Sequence, residues 1–300
     1  MLMTTNLIDK DTLKLLRIPF SIFLMPVFLF ALSQAESINW QNTLLSFIIL
    51  HLFIYPASNG YNSFMDQDEG SIGGLKHPPK PTKKLFYISI LLDFIGLSLS
   101  FFISIPFSIC LLMYILASRA YSYKGIRLKK YPYLGFITVI FSQGAFTFLI
   151  AYHAITLLSY QEIINRQLLA LIACSLLLAG VYPLTQIYQH EEDYKNGDIT
   201  ISYKLGYRGT FAFCCFAFLT SIICFYYHFR EVDLLNNFII LQLCFIPAVV
   251  YFFHWFYKVW RDSSAADFEH TMKMNLIASV CLNNCFILLL LINQQVIKFQ

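Results

Sequence analysis

Charged residues are scarce in this sequence. Only 13% of the 300 residues are Asp, Glu, Lys or Arg, whereas a soluble globular protein carries roughly 25%. Hydrophobic residues make up 58% of the chain and aromatic residues 17%. This composition excludes an ordinary soluble domain and indicates a protein embedded in a membrane.

The sequence also lacks the cysteine pairs that hold metals or build disulfide frameworks. All eight cysteines fall inside apolar segments, and none forms a Cys-x-x-Cys pair in a loop. Small apolar packing residues are therefore the expected role of these cysteines. A disulfide framework is not expected.

Long apolar runs are what the sequence has instead. A membrane-spanning helix needs roughly 20 mostly apolar residues, and the runs here are continuously apolar rather than alternating, which favours helices. We do not expect cleavage of a signal peptide after Ala35, because 17 residues that include two acids precede the first run. The expected fold is an all-α membrane protein, one polytopic domain over residues 1–300. Its nine predicted transmembrane helices are 18–34, 43–61, 85–102, 104–120, 133–153, 166–187, 210–228, 236–257 and 274–296.

Lys and Arg are distributed unequally between the two ends of these segments. With a cytoplasmic N-terminus, 18 of them lie on the inside, and only Arg166, Arg230 and Lys298 lie outside. Such a split predicts a cytoplasmic N-terminus and an outside C-terminus, in a membrane of the bacterial inner (plasma) membrane type. Basic cytoplasmic loops explain the net charge of +4, so no nucleic-acid partner is expected.

Acids concentrate in two predicted cytoplasmic stretches, at about residues 59–84 and 186–209. Together they hold seven of the 17 acids: Asp66, Asp68, Glu69, Glu191, Glu192, Asp193 and Asp198. Asn62 precedes Asp66 by four residues, and Gln189 precedes Asp193 by four. If the second and sixth helices continue through these stretches, each pair shares one helical face.

Carboxylate and amide oxygens suit Mg²⁺, which one or two carboxylates and substrate phosphates commonly hold. The spacing therefore predicts a metal–diphosphate site. Ordinary solvated helix ends are the alternative.

Two basic segments accompany the acidic stretches. The segment "GSIGGLKHPPKPT" carries Lys76, and "YSYKGIRLKKYP" carries Arg127 and Lys129. Glycine permits unusual backbone angles and proline stiffens a loop, so the first segment is suited to fold over a polyanion. Contact with anionic lipid headgroups is the alternative role.

These motifs resemble those of the UbiA superfamily of intramembrane prenyltransferases. Asn62 and Asp66 match the family pattern N-x-x-x-D-x-x-x-D, whose third position is Gly70 here. Asp193 and two later positions match D-x-x-x-D-x-x-x-G-x-x-T, whose first position is Gln189 here. The two matching later positions are Gly197 and Thr200.

The resemblance implies a helical bundle around a central cavity that opens to the cytoplasmic side. It implies a prenyltransferase, a transferase of alkyl or aryl groups other than methyl. Such an enzyme transfers an isoprenyl group from a prenyl diphosphate to a hydrophobic acceptor, aromatic or lipid-like, with Mg²⁺. Asp66 and Asp193 would be catalytic. The implied metal ligands are Asn62, Asp66, Asp68, Glu69, Gln189, Glu192 and Asp193, and the implied diphosphate contacts are Lys76, Arg127 and Lys129.

Two other functions stay open at this point. A transporter would also explain many helices and the intramembrane acid Asp93, but the polar clusters here lie at helix ends rather than at the bilayer midplane. A non-catalytic family member that binds a prenyl lipid would explain Gly70 and Gln189. Asp93 itself has two candidate roles, contact with the acceptor or a structural bond to a neighbouring helix.

Overall fold

The computed structural model describes residues 9–296, in which the regular structure is helical apart from an isolated bridge between Ile72 and Leu75. The all-α prediction is therefore confirmed for this part of the chain. The α-helices are α1 Lys10–Leu16, α2 Met25–Ser33, α3 Trp40–Ile48, α4 Tyr55–Asp66, α5 Lys83–Ser100, α6 Ile105–Ser122, α7 Pro132–Ile140, α8 Thr147–Thr156, α9 Tyr160–Gln186, α10 His190–Lys195, α11 Ile201–Glu231, α12 Leu235–Arg261 and α13 Phe268–Asn293.

Short segments with other helical geometry join several of these helices. Two π-helical segments, Ile49–Ile54 and Phe141–Phe146, connect α3 to α4 and α7 to α8. The 3₁₀ segments are Ile18–Phe23, Leu128–Lys130, Ile187–Gln189 and Ser263–Ala265. Several of the predicted transmembrane helices are therefore continuous in space but change their hydrogen-bonding pattern along the way.

Eight helical segments within residues 9–296 are long and apolar enough to span a membrane, rather than the nine predicted. They are Lys10–Ser33, Trp40–Asp66, Ile105–Ser122, Pro132–Thr156, Tyr160–Lys195, Ile201–Glu231, Leu235–Arg261 and Phe268–Asn293. The predicted segment 85–102 does form a helix, α5, but its 18 residues include Lys83, Lys84 and Asp93. The count of nine is thus not confirmed. The side on which a central cavity opens stays a prediction, and Lys298 lies outside the described residues.

The chain divides into two compact units. The first comprises Met1–Ser21, as far as it is described, with Leu44–Leu128, and the second comprises Ile22–Thr43 with Lys129–Gln300, as far as it is described. In the first unit, Leu15 and Leu16 of α1 pack in a buried cluster with Leu85 and Ile88 of α5. This cluster places α1 beside the start of α5.

The core of the second unit is aromatic. The ring centroid of Phe30 in α2 lies 5.0–6.3 Å from the ring centroids of Phe148, Phe225, Phe229 and Phe286. All five rings are buried to at least 97%. Aromatic pairs at such separations add attraction beyond the burial of their area, so α2 is held among α8, α11 and α13.

A tight joint connects α5 and α6, as the apolar pattern predicts. The Ser104 hydroxyl caps α6 by accepting from the N–H of Phe107 at 3.1 Å, and Pro106 lies in the first turn, where its missing N–H costs nothing. The Ser100 hydroxyl donates to Ser108 Oγ at 2.8 Å. The Ser104 cap and the Ser100–Ser108 bond across the joint together fix the direction of α6.

Candidate functional site

The first acidic stretch begins at the end of α4. Helix α4 continues through Asn62 to Asp66, and Gln67 ends it with a left-handed backbone (φ 55°). Asn62 Nδ2 donates to Asp66 Oδ2 at 2.8 Å and to Ser122 Oγ of α6 at 3.0 Å. The four-residue spacing therefore does place both side chains on one face, and α6 holds that face through Ser122.

Arg127 forms an ion pair with Asp66. Its Nη1 lies 3.5 Å from Asp66 Oδ1, and the two side chains are 15% and 2% exposed. The Asp66 side chain thus lies between an amide donor and a guanidinium. The structure brings together one predicted metal ligand, Asp66, with one predicted diphosphate contact, Arg127, within the first unit.

A compact turn follows α4. Asp68 is half-buried and Glu69 exposed, and Ile72 and Leu75 bond to each other through their backbones around Gly73 and Gly74. Gly74 has φ +86°, a value that side chains rarely tolerate. The exposed Lys76 accepts through its carbonyl from the Ser71 hydroxyl at 3.0 Å.

Arg17 fastens this turn to the rest of the first unit. Its Nη1 donates to the carbonyl of Gly73 and its Nη2 to the carbonyl of Asn59, each at 3.2 Å. The same guanidinium lies 5.6 Å from the centre of the Phe20 ring, and Phe20 also covers Gly73 and Gly74. One arginine, which the sequence analysis did not select, therefore binds both the start of the first acidic stretch at Asn59 and the turn at Gly73.

The second acidic stretch is not one continuous helix. Helix α9 ends at Gln186, the 3₁₀ turn Ile187–Gln189 follows, and α10 begins at His190. Gln189 precedes α10 rather than lying inside it, so the condition under which Gln189 and Asp193 would share one helical face is not met here. The Gln186 side chain accepts from the N–H of Ser202 at 3.4 Å, which ties the end of α9 to the start of α11.

Helix α10 presents its acids on different sides. Successive helical residues turn by about 100°, so Glu192 and Asp193 lie on the side away from His190, Glu191 and Tyr194. Glu192 and Asp193 are half-buried, whereas Glu191 is exposed. Glu191 therefore lies on another side of the helix from the predicted ligands Glu192 and Asp193.

Lys129 forms an ion pair with Asp198, a residue outside the predicted ligand set. Lys129 Nζ lies 3.1 Å from Asp198 Oδ2, with side chains 12% and 1% exposed. Gly197 has φ +75° and turns the chain so that the N–H of Asp198 donates to the carbonyl of Asp193 at 2.8 Å. The matched glycine of the motif was the available signal for this turn, because it predicts a left-handed residue just before Asp198.

The protein donors fit Mg²⁺ only in part. Across residues 9–296, no group of three or more His, Cys, Asp or Glu side chains converges as a metal cage. Mg²⁺ does not require such a cage, since one or two carboxylates with substrate phosphates and waters commonly bind it. The Asn62 and Asp66 oxygens at one helix end are hard donors of this kind. The donor set therefore suits a metal that arrives with a phosphate ligand.

Comparison with known protein families shows to which family the chain belongs. The model of the UbiA prenyltransferase family matches residues 22–277. The chain belongs to the UbiA prenyltransferase family. A search among characterised protein sequences finds no match.

Solved UbiA-type structures share the fold. A digeranylgeranylglyceryl phosphate synthase matches with a TM-score of 0.62 at 18% identity, over 96% of this chain and 99% of that one. A UbiA homologue from Archaeoglobus fulgidus bound to GPP and Mg²⁺ matches with a TM-score of 0.66 at 17% identity, and the same homologue bound to DMAPP and Mg²⁺ with 0.64 at 15%. Each covers 94% of this chain and 99% of the other. Family membership and its apolar helices make this UbiA protein an integral membrane protein.

Proposed function

We propose that this UbiA family member transfers an isoprenyl group from a prenyl diphosphate to a hydrophobic acceptor, aromatic or lipid-like. The observation that carries the proposal is the Asn62–Asp66 pair, fixed at the end of α4 by Ser122 and Arg127. A carboxyl group with a neighbouring guanidinium suits a metal–diphosphate group, because the carboxyl oxygens can bind the metal and the guanidinium can bind the phosphate. Asp193 and Glu192 in the second acidic stretch act in the same reaction.

The residues assigned to the metal are those of the two acidic stretches: Asn62, Asp66, Asp68, Glu69, Gln189, Glu192 and Asp193. Bound Mg²⁺ supplies Lewis-acid neutralisation of the charge on the departing diphosphate. The geometrically best supported of these ligands are Asn62 and Asp66, because they share one helix face and one hydrogen bond.

Basic residues supply further charge stabilisation. When the allylic C–O bond breaks, its electron pair leaves with the diphosphate, and the acceptor atom forms the new bond to carbon and loses a proton. Arg127 and Lys129, each held beside a carboxylate, offer donors for the developing negative charge. Lys76 is exposed after the glycine turn and is assigned to the same anion.

The solved relatives support this choice of substrate. Structures of the Archaeoglobus fulgidus homologue contain DMAPP or GPP together with Mg²⁺, and another relative is a synthase of a prenylated glyceryl phosphate. The proposal extends a prenyl diphosphate donor and a divalent cation to this chain. It also places the acidic stretches on the cytoplasmic side of a bacterial-type inner membrane, as the distribution of Lys and Arg predicts.

The test is metal-dependent binding and release of diphosphate by detergent-purified protein. Geranyl, farnesyl and geranylgeranyl diphosphate are titrated with Mg²⁺ and with EDTA, and diphosphate release is followed with a panel of acceptors. We expect Asp66→Asn and Asp193→Asn to lower turnover by roughly 100-fold or more, in line with the loss of one group that stabilises a transition state.

Asp262→Asn is the matched control, because Asp262 is an acid at a helix end outside both acidic stretches. Its side chain caps the 3₁₀ segment Ser263–Ala265 by accepting hydrogen bonds from the N–H and the hydroxyl of Ser264. Asn retains the acceptor oxygen that the cap needs, so this variant should keep wild-type turnover. Wild-type turnover in Asp66→Asn would contradict the assignment. Mg²⁺-dependent binding without diphosphate release, even with acceptors, would identify a non-catalytic prenyl-lipid binder, as the Gly70 and Gln189 departures allow.

A further inference from the structure

A tyrosine-lined cleft lies between α10 and the first turns of α11. Its volume is about 420 Å³, within the range of sites for small molecules. The side chains that matter for the argument are His190, Glu191, Tyr194, Lys195, Tyr203 and Tyr207. Glu192 and Asp193, the predicted ligands on α10, do not line the cleft, so it is separate from the acidic face of the same helix.

We expect the cleft at the level of the lipid headgroups. Helix α9 alone contains 27 residues, which at 1.5 Å per residue reach about 40 Å, whereas the hydrocarbon core is about 30 Å thick. Because α10 follows α9 after a 3₁₀ turn, we expect it beyond the acyl chains. Gly206, with φ +67°, interrupts the beginning of α11 at the same level and opens room beside Tyr203 and Tyr207.

The rings are held in fixed orientations. Tyr194 stacks on Tyr203 with centroids 5.3 Å apart and planes at 12°, and His190 stacks on Tyr207 at 4.8 Å and 15°. His190 Nε2 lies 2.7 Å from Ser202 Oγ, which fixes the imidazole at the base of the cleft. Electron-rich faces of tyrosine rings attract organic cations.

One acid and one base lie along the same cleft. Glu191 and Lys195 are four residues apart on α10, so their side chains are one helical turn from each other. Both are exposed, and within residues 9–296 neither forms an ion pair. A ligand that carries both a positive and a negative group would match this arrangement. A simple anion would be repelled by Glu191, and a simple cation would be repelled by Lys195.

We propose that this cleft binds the headgroup of a zwitterionic phospholipid. The ammonium group lies against the tyrosine faces and Glu191, and the phosphate is bound by Lys195. The site does not depend on the prenyl-transfer proposal, because it uses other residues. Tyrosines are common at membrane interfaces for packing alone, and the test separates that role from specific binding.

The experiment measures which lipids stay bound. The full-length protein is reconstituted into nanodiscs with equal amounts of phosphatidylethanolamine, phosphatidylcholine and phosphatidylglycerol, released into detergent, and its retained lipids are counted by native mass spectrometry. We expect wild-type protein to retain zwitterionic over anionic lipid, and Glu191→Gln and Tyr194→Leu each to lower that ratio about threefold or more. Glu191→Gln is nearly isosteric and Tyr194 is 59% exposed, so both variants should fold.

Tyr257→Leu is the matched control, since Tyr257 is an equally exposed tyrosine that contacts Arg261 outside the cleft. Its ratio should equal that of wild type. Equal ratios in wild type and both cleft variants would overturn the proposal. In a second arm, soluble phosphocholine and phosphoethanolamine are added before the retained lipids are counted. If the zwitterionic lipid stays bound, the ligand is a lipid. If an equimolar amount of the soluble ester displaces all of it, the cleft is a site for the soluble ester and the proposal is overturned.

Discussion

Asp93 has an arginine as its partner in the apolar part of the first unit. Arg119 of α6 forms a salt bridge with Asp93 of α5, and the two side chains are 13% and 10% exposed. The Arg119 guanidinium also lies 4.2 Å from the centre of the Tyr61 ring of α4 and donates to the carbonyl of Ala57 at 3.5 Å. The sequence left two roles open for Asp93, and these contacts favour the structural bond to a neighbouring helix over contact with the acceptor.

Removing only one of these charges should be costly. Asp93→Leu leaves the Arg119 guanidinium buried without its counter-ion, which in proteins typically costs about 3–5 kcal/mol. We expect a clearly lower unfolding midpoint in detergent, measured by differential scanning fluorimetry.

The double variant Asp93→Leu/Arg119→Leu serves as the control for this pair. Replacing a buried pair by apolar side chains is often neutral, so the double variant should recover most of the lost stability. A double variant as unstable as Asp93→Leu alone would show that the charge pair is not the reason for the loss.

At the scale of the helices, Gly144 allows a very close contact within the second unit. It lies in the π-helical segment Phe141–Phe146 beside α9, where the Ser175 hydroxyl accepts from the N–H of Ala145 at 3.1 Å. A Cβ at Gly144 would lie 2.6 Å from Ser175 Cα and 2.8 Å from its nitrogen. Backbone atoms cannot rotate away, so the helices would have to separate.

Gly144→Ala should therefore destabilise the protein, by about 1–3 kcal/mol as overpacked cores do. Gly209→Ala is the matched control, because a Cβ there would meet only Leu205 Cβ at 3.4 Å. Within a helix, replacing Gly by Ala should leave the free energy of unfolding unchanged or raise it by about 0.5–1 kcal/mol. Chemical unfolding monitored by circular dichroism measures both. Equal stability of wild type and Gly144→Ala would contradict the close contact.

Positions of helices could be predicted from the sequence, but interruptions within them could not. Apolar runs predict α11 and α12 because hydrophobicity along a segment decides membrane insertion. The turn Ile187–Gln189 leaves no comparable signal, since it depends on the bond between Gln186 and Ser202 across two helices. Asn62 and Asp66 could be paired in advance because their spacing is local, whereas Lys129 and Asp198 are 69 residues apart and could not.

For the molecule as a whole, the distribution of Lys and Arg predicts one orientation in the membrane. Helix α11 offers a direct test because it runs from Ile201 to Glu231 and is long and apolar enough to span the bilayer. A membrane-impermeant maleimide added to intact cells should label Glu231→Cys. It should label Lys204→Cys only after permeabilisation.

Wild-type protein gives the background for this labelling, since its eight cysteines all lie within helices. The opposite labelling pattern would reverse the predicted topology, and with it the proposed cytoplasmic position of both acidic stretches.

Arg17 also constrains the order in which the first unit is completed during synthesis. It is translated 42 residues before Asn59 and 56 residues before Gly73, the two residues whose carbonyls it binds. Until the ribosome delivers them, its guanidinium needs water or lipid phosphate in their place. The acidic stretch is thus the later-synthesised partner of Arg17, and a nascent chain that ends before Gly73 lacks one of the two carbonyls that the guanidinium binds.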